Sequence, residues 1–79
     1  MLPSSLPLGK IASPSDLAEV VKARRKAQGL TQADLAGLAG TGNRFIVDLE
    51  KGKPTLQIEK VFTVLSLLGI DLYVKERGA

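Results

Sequence analysis

A run of capping, small and apolar residues between positions 30 and 53 constrains the fold of this chain more than any other feature. Thr31 followed by Asp34 forms a capping box, in which a hydroxyl and a carboxylate satisfy backbone donors at the start of a helix. Five further positions have the side chains that two short packed helices joined by a turn require: Gln32, Ala36, Gly40, Ile46 and Leu49. The joint pattern predicts a helix-turn-helix, which places its second helix in the major groove of DNA. The alternative is two ordinary helices joined by a glycine turn.

The spacing of these residues follows from packing. A small Ala36 lets two helices approach closely, and Gly40 is able to take the left-handed conformation that ends the first of them. Ile46 and Leu49 then bury the inner face of the second helix. Each position therefore has a mechanical role in the predicted motif.

Composition excludes most other functions. The chain has 79 residues and neither cysteine nor histidine, so disulfide scaffolds, zinc sites, imidazole bases and thiol nucleophiles are not expected. We therefore expect no enzyme, no metal and no cofactor. No apolar run approaches the ~20 residues that span a bilayer, and the first nine residues lack the pattern of a secretory signal, so we expect a cytoplasmic protein. The net charge of +3 is modest, so any attraction to DNA depends on where the charges lie.

We expect one domain at residues 13–69, after a flexible arm at residues 1–12 in which Leu8 or Ile11 could dock on the body. In the first helix Leu17, Val20, Val21 and Arg24 recur with helical spacing. Caps, prolines and glycines delimit four helices: one between Ser13 and Gly29, residues 32–39, residues 43–51, and one from the cap Thr55 to Leu68.

The fourth helix carries more apolar surface than a four-helix monomer needs. One apolar stripe along it is extended sideways by two further residues: Ile58, Val61, Phe62, Leu65 and Leu68, then Val64 and Leu67. Such a face is either buried within the monomer or shared across a dimer.

Residues 70–79 are predicted to form a C-terminal dimerisation strand and tail. Apolar and polar residues alternate from Ile70 to Glu76. Because a single strand leaves its backbone unpaired, we expect it to pair with the same strand of a second copy. The alternative is a pairing with the segment around Lys10 and Ile11. The expected dimer contacts are Val64, Leu67, Ile70, Leu72 and Val74.

The third helix is the expected reading helix. With Ile46 and Leu49 facing inward, its first two turns present Asn43, Arg44, Val47 and Asp48 outward. Arg44 suits guanine, Asn43 suits adenine and Val47 suits a thymine methyl group. Asp48 either accepts from cytosine or lies outside the contact.

Other residues of the motif are expected to position the backbone of the DNA. Thr31 and Gln32, at a helix start, suit phosphate, and Lys51 and Lys53 follow the reading helix, either as backbone contacts or as an ordinary basic loop. Phe45 is expected to pack as a wedge, with a DNA contact as the alternative. The expected DNA-binding residues are Thr31, Gln32, Asn43, Arg44, Val47, Lys51 and Lys53.

Two basic features near the end of the first helix have competing explanations. The run Arg24-Arg25-Lys26 either contacts phosphate or is favoured by the helix dipole. Glu50 is an acid close to the expected DNA surface, where a free carboxylate would repel phosphate. A pairing with Arg25 would explain its presence there.

The motif resembles the Cro/C1-type (XRE) phage-repressor domain across roughly residues 15–69, and within that family the chain resembles HipB-type antitoxins. The XRE resemblance rests on Leu30-Thr31-Gln32-x-x-Leu35-Ala36, Gly40, Ile46 and Leu49-Glu50-Lys51-Gly52-Lys53. The HipB resemblance rests on Ser13-Pro14-Ser15-Asp16-Leu17, Lys53-Pro54-Thr55 and Ile70 to Val74. Two departures are Gly42, where a capping Ser or Thr is usual, and the absence of a long tail with tryptophan.

The resemblance implies a mainly α, lambda-repressor-like fold of four to five helices with a C-terminal strand paired across a homodimer. It implies operator contacts by Gln32, Asn43, Arg44 and Val47, and a structural ion pair between Arg25 and Glu50. It further implies binding to palindromic operators upstream of its own operon and inhibition of a HipA-like serine/threonine kinase toxin. The alternatives are an XRE-type repressor without a toxin and a protein-interaction module that has lost DNA binding.

Overall fold

Four helices make up the computed structural model, which describes residues 9–78. They are α1 (Pro14–Ala27), α2 (Gln32–Ala39), α3 (Asn43–Glu50) and α4 (Ile58–Leu67). The mainly helical prediction is confirmed, with four helices in the described part of the chain. The predicted arm at residues 1–12 falls mostly outside the described residues, and so does Leu8.

The helices enclose one apolar core. Helix α2 packs against α3 and α4, and α1 packs against α3. The core consists of Val21, Leu35, Ala36, Ile46, Leu49, Val61, Val64, Leu65 and Leu68. The inward positions predicted for the helix-turn-helix therefore lie at its centre.

The capping box at the start of α2 is formed on both sides. The Thr31 hydroxyl accepts from the Asp34 backbone N–H at 3.0 Å, and the Asp34 carboxylate accepts from the Thr31 N–H at 2.9 Å. Hydrogen bonds from the Thr31 backbone and side chain hold the pKa of Asp34 below its ordinary value, so the carboxylate stays ionised and the box stays closed near neutral pH.

Glycines make both turns around α3 possible. Gly40 ends α2 with φ 69° and ψ 30°, a left-handed conformation that costs glycine little. Gly52 follows α3 with φ 80°, and a Cβ there would lie 3.1 Å from the Ser15 Cα. The chain after α3 therefore passes directly against the start of α1.

The buried face of α1 is centred one position further along than the spacing predicts. Ala18, Val21 and Arg25 are its buried residues, whereas Leu17 and Val20 are half-buried. The reason is that Arg25 turns inward to an acidic partner on α3, and the helix presents that side of its surface to the core.

The predicted start of α4 at Thr55 is wrong. The helix begins at Ile58, with Gln57 as the residue before it (ψ 117°) and no side-chain cap. Leu56 is half-buried and packs on the core. Packing of Leu56 therefore keeps the connection irregular for three residues after Pro54 and overrides the local capping signal of Thr55.

The end of α4 is capped from outside the helix. The Leu68 carbonyl accepts from Arg24 Nε at 2.8 Å and from Gln28 Nε2 at 3.0 Å. Arg24 is thus a structural residue, and its partner is the C-terminus of α4 rather than that of its own helix.

The apolar surplus of α4 divides between the core and the surface. Val61, Val64 and Leu65 are buried in the helix, whereas its exposed apolar residues are Ile58, Phe62 and Leu67. Val64 is completely buried within the monomer, so it has no surface to offer a second copy.

The structure assigns neither helix nor strand to residues 70–75, all of which it describes. Ile70 is half-buried, while Leu72, Tyr73 and Val74 are 52%, 88% and 100% exposed. Residues 10 and 11 also lie outside any strand, so the described chain shows no pairing between the two segments. A β-strand is defined by backbone hydrogen bonds to a neighbouring strand. In a single copy of the chain, residues 70–75 have no neighbouring strand among the described residues.

We predict that Thr31→Ala lowers the free energy of unfolding by about 1 kcal/mol, because it opens the capping box of α2. Thr55→Ala is the matched control and is expected to change it by less than about 0.5 kcal/mol, as an exposed surface change does. Urea denaturation followed by circular dichroism measures both. Equal losses in the two variants would contradict the assignment of the caps.

Candidate nucleic-acid interface

The outward face of α3 begins at the N-terminus of the helix. Asn43 and Arg44 are exposed and Val47 is half-buried, while Ile46 and Leu49 anchor the opposite face. Gly42 precedes the helix without a side-chain cap. The Phe45 N–H donates to the Gly42 carbonyl at 3.1 Å, whereas the Asn43 and Arg44 amides receive no side-chain cap. The first turn of α3 is therefore open to solvent.

A buried ion pair fixes the other end of α3. Arg25 Nε lies 2.6 Å from Glu50 Oε2, and Arg25 Nη2 donates to Glu50 Oε1 at 2.9 Å. Arg25 Nη1 also donates to the Leu30 carbonyl at 2.7 Å. The two residues are only 8% and 5% exposed, and the hydrogen bonds to Glu50 raise the pKa of Arg25 despite its burial. The pair ties α3 to α1 and to the turn before α2.

Gln32 joins this network at the start of α2. Its amide Nε2 donates to Glu50 Oε1 at 3.2 Å, which leaves the second amide hydrogen for an external acceptor. The predicted positioning residue is thereby coupled to the end of the reading helix, a contact that the sequence spacing did not indicate.

Asp48 links two predicted DNA-binding cations. Arg44 Nε lies 3.3 Å from Asp48 Oδ1, and Lys53 Nζ lies 3.5 Å from Asp48 Oδ2. Neither alternative considered from the sequence included this arrangement. The i, i+4 spacing of Arg44 and Asp48 was the available signal, since such pairs are neighbours on a helix.

The remaining predicted residues are separate points on the same motif. Thr31 caps α2 and Lys51 follows the last residue of α3, and both are exposed. An α-helix rises 1.5 Å per residue, so Lys51 lies roughly 12 Å along the axis from Asn43. The structure therefore brings Gln32 into contact with Glu50, and Arg44 and Lys53 into contact with Asp48. The other predicted residues lie elsewhere on the motif: Thr31, Asn43, Val47 and Lys51.

Phe45 packs as the sequence favoured. It is half-buried and packs against the core, and Lys60 Nζ lies 5.9 Å from its ring centroid, within cation–π range. Lys60, on α4, was not anticipated. Phe45 therefore connects the reading helix to α4.

Only part of the basic run near the end of α1 faces outward. Arg24 bonds the Leu68 carbonyl and Arg25 bonds Glu50, while Lys26 is exposed. The run is therefore mainly structural and does not form a phosphate-binding patch.

Residues 9–78 contain neither a metal-ligand cluster nor a membrane-spanning helix. No group of three metal-ligating His, Cys, Asp or Glu residues occurs there. In the described part of the chain, every helix falls short of the length and apolar character that a membrane-spanning helix requires.

Comparisons with known proteins agree with this geometry. Residues 21–74 match the family model HTH_3, described as helix-turn-helix. The chain is 51% identical over 69 residues to "Uncharacterized HTH-type transcriptional regulator y4mF" of Sinorhizobium fredii, across 87% of this chain and 91% of that protein.

Solved structures with similar folds include complexes of HipB. A chain in the "HipB-O4 20mer complex" superposes with a TM-score of 0.80 at 27% identity, covering 89% of this chain and 99% of that chain. A chain in the "HipA-HipB-O2-O3 complex" matches with the same TM-score of 0.80, 27% identity and coverages of 89% and 99%.

We predict that Glu50→Gln lowers the free energy of unfolding by about 3 kcal/mol, because it leaves the Arg25 guanidinium buried without a counter-charge. The double variant Arg25→Met/Glu50→Leu is expected to lose less than Glu50→Gln alone, since it removes both charges together. Urea denaturation measures both. A double variant that is less stable than Glu50→Gln would show that the two side chains are not coupled in this way.

Proposed function

Since the chain belongs to the helix-turn-helix family HTH_3, a non-enzymatic family of DNA-binding transcriptional regulators, we propose that it is a homodimeric repressor of its own operon. We further propose that it is the antitoxin of a HipA-like serine/threonine kinase toxin. The observation that carries the repressor proposal is the exposed first turn of α3, held on a rigid base by the Arg25–Glu50 pair.

In this proposal the reading helix enters the major groove with its N-terminal end foremost. Arg44 donates to guanine O6 and N7, Asn43 pairs with adenine, and Val47 contacts a thymine methyl group. These contacts supply sequence preference, whereas contacts to phosphate supply register and affinity. The phosphate contacts are assigned to Thr31, Gln32, Lys51 and Lys53.

The exposed apolar surface supports the homodimer. Six large apolar or aromatic side chains on α4 and the segment after it are at least 44% exposed: Ile58, Phe62, Leu67, Leu72, Tyr73 and Val74. Monomers rarely expose large contiguous apolar patches, so an interface that covers these side chains is physically reasonable. We propose that residues 70–75 pair with the same residues of a second copy, with Leu67, Leu72 and Val74 at the interface and Ile70 beside them. A two-fold dimer suits a palindromic operator.

The antitoxin proposal rests on likeness of the whole chain to a component of a larger complex. The chain covers 99% of a chain in the structure named "HipA-HipB-O2-O3 complex". A repressor without a toxin is the second candidate, because the relative at 51% identity is named only as a transcriptional regulator. If the protein is an antitoxin, we expect a kinase-like reading frame beside its gene. We also expect the product of that reading frame to co-elute with this protein.

Fluorescence anisotropy with the DNA upstream of the gene tests the repressor proposal. We expect tighter binding to that DNA than to a scrambled sequence, and weaker binding to both as salt rises. Arg44→Ala is expected to weaken binding to the upstream DNA by about tenfold and to relax the preference, as loss of a base contact does. Gln32→Ala is expected to weaken binding to both DNAs with little change of preference.

Negligible binding of the unaltered protein to both DNAs would contradict autoregulation. It would favour the protein-interaction module, in which the scaffold persists without DNA binding.

We predict that Leu72→Asp converts the protein to a monomer in sedimentation velocity, because a charge would be buried in the paired strands. Tyr73→Asp is the matched control: it introduces the same charge on the other side of the alternation and is expected to leave the dimer intact. A dimer that survives Leu72→Asp would place the interface elsewhere.

A further inference from the structure

An acid lies in the middle of the proposed DNA-reading surface. Asp48, on α3, is between Arg44 in the preceding turn and Lys53 in the loop that follows, with side-chain separations of 3.3 and 3.5 Å. Its side chain is 14% exposed, compared with 83% for Arg44 and 49% for Lys53. The carboxylate is therefore largely covered, while the cations that it holds reach outward.

The backbone of Asp48 holds the same loop. Its carbonyl accepts from the Lys53 N–H at 3.1 Å and from the Lys51 N–H at 3.2 Å. Lys53 is thus bound to Asp48 through both its main chain and its ammonium group. The position of this cation is set by one residue of the reading helix.

The geometry at Arg44 matters for base reading. The Arg44 atom that pairs with Asp48 is Nε, 3.3 Å from Oδ1, and a carboxylate held there leaves the two Nη groups able to donate to a base. A guanidinium reads guanine by donating two parallel hydrogen bonds to O6 and N7. Pairing at Nε restricts the rotation of the side chain and leaves the terminal fork for the base.

The charge of Asp48 has an opposite effect on phosphate binding. Arg44 and Lys53 together carry two positive charges, and one carboxylate between them reduces the local sum to one. Sequence-independent affinity comes from cations that neutralise phosphates. Asp48 therefore weakens attraction to DNA of any sequence while it orders the groups that distinguish sequences.

We propose that Asp48 is a positioning residue that sets sequence preference: it orients Arg44 and Lys53 and lowers non-specific binding, without contacting the bases itself. The inference rests on the proposed DNA-reading role of α3. It explains why an acidic side chain is present on a surface that faces phosphates.

Asp48→Asn tests the inference, because it removes the charge with little change of shape. Anisotropy with the upstream and scrambled DNAs, across a salt series, gives the ratio of the two dissociation constants. We expect binding to scrambled DNA to tighten by about two- to fivefold with a steeper salt dependence, since one net positive charge is gained. We expect the ratio between the DNAs to fall by about tenfold, the loss typical of one base contact.

A double-mutant cycle separates positioning from direct contact. In the Arg44→Ala background, Asp48→Asn is expected to leave the preference unchanged, because the group that it orients is absent. If Asp48→Asn lowers the preference equally in both backgrounds, and at a single cytosine position, Asp48 reads the base directly and the inference is wrong.

Two further variants control for charge and folding. Glu19→Gln removes one negative charge from an exposed position on α1 and is expected to leave the preference unchanged. Asp48→Glu keeps the carboxylate and is expected to retain most of the preference, whereas loss as large as that in Asp48→Asn would overturn the inference. Circular dichroism confirms that each variant is folded.

The outcomes distinguish this inference from the proposed function. An unaltered protein without preference for the upstream DNA refutes the repressor proposal, and the inference fails with it. An unaltered protein with preference that Asp48→Asn fully retains refutes the inference alone.

Discussion

The Arg25–Glu50 ion pair is the interaction on which the rest of the structure depends. It is buried, bidentate and extended by bonds to the Leu30 carbonyl and Gln32. Buried ion pairs often add little net stability, because desolvation offsets the Coulombic attraction. Here the pair defines geometry: three helices meet at one carboxylate, so the reading helix cannot rotate without breaking several charge-assisted hydrogen bonds.

The distribution of positive charge follows from this architecture. Arg24 and Arg25 serve the scaffold, at the end of α4 and at Glu50. The cations of the motif proposed to contact DNA are therefore Arg44, Lys51 and Lys53. With a net charge of only +3, the chain cannot depend on a strong general field. In the proposed function, sequence preference depends on the placement of a few cations, of which Asp48 contacts Arg44 and Lys53.

The small size of the core is a physical argument for the proposed homodimer. A chain of this length buries only about 60% of its unfolded surface, and α4 is divided between buried Val61, Val64 and Leu65 and exposed Phe62 and Leu67. The unpaired segment after α4 continues this exposed surface. Dimerisation would cover apolar area and, in the same step, set the spacing of two reading helices.

The sequence by itself determined the features whose causes are local. Thr31 with Asp34, Gly40 and the inward spacing of Ile46 and Leu49 predicted the helix-turn-helix, because caps, turns and helical periodicity depend on residues a few positions apart. Only the tertiary structure decided the rest. Leu56 packing displaced the start of α4 from Thr55, and the 44-residue separation between Arg24 and Leu68 hid their hydrogen bond. A local sequence pattern does not predict such contacts, because they form only when segments distant in sequence pack together.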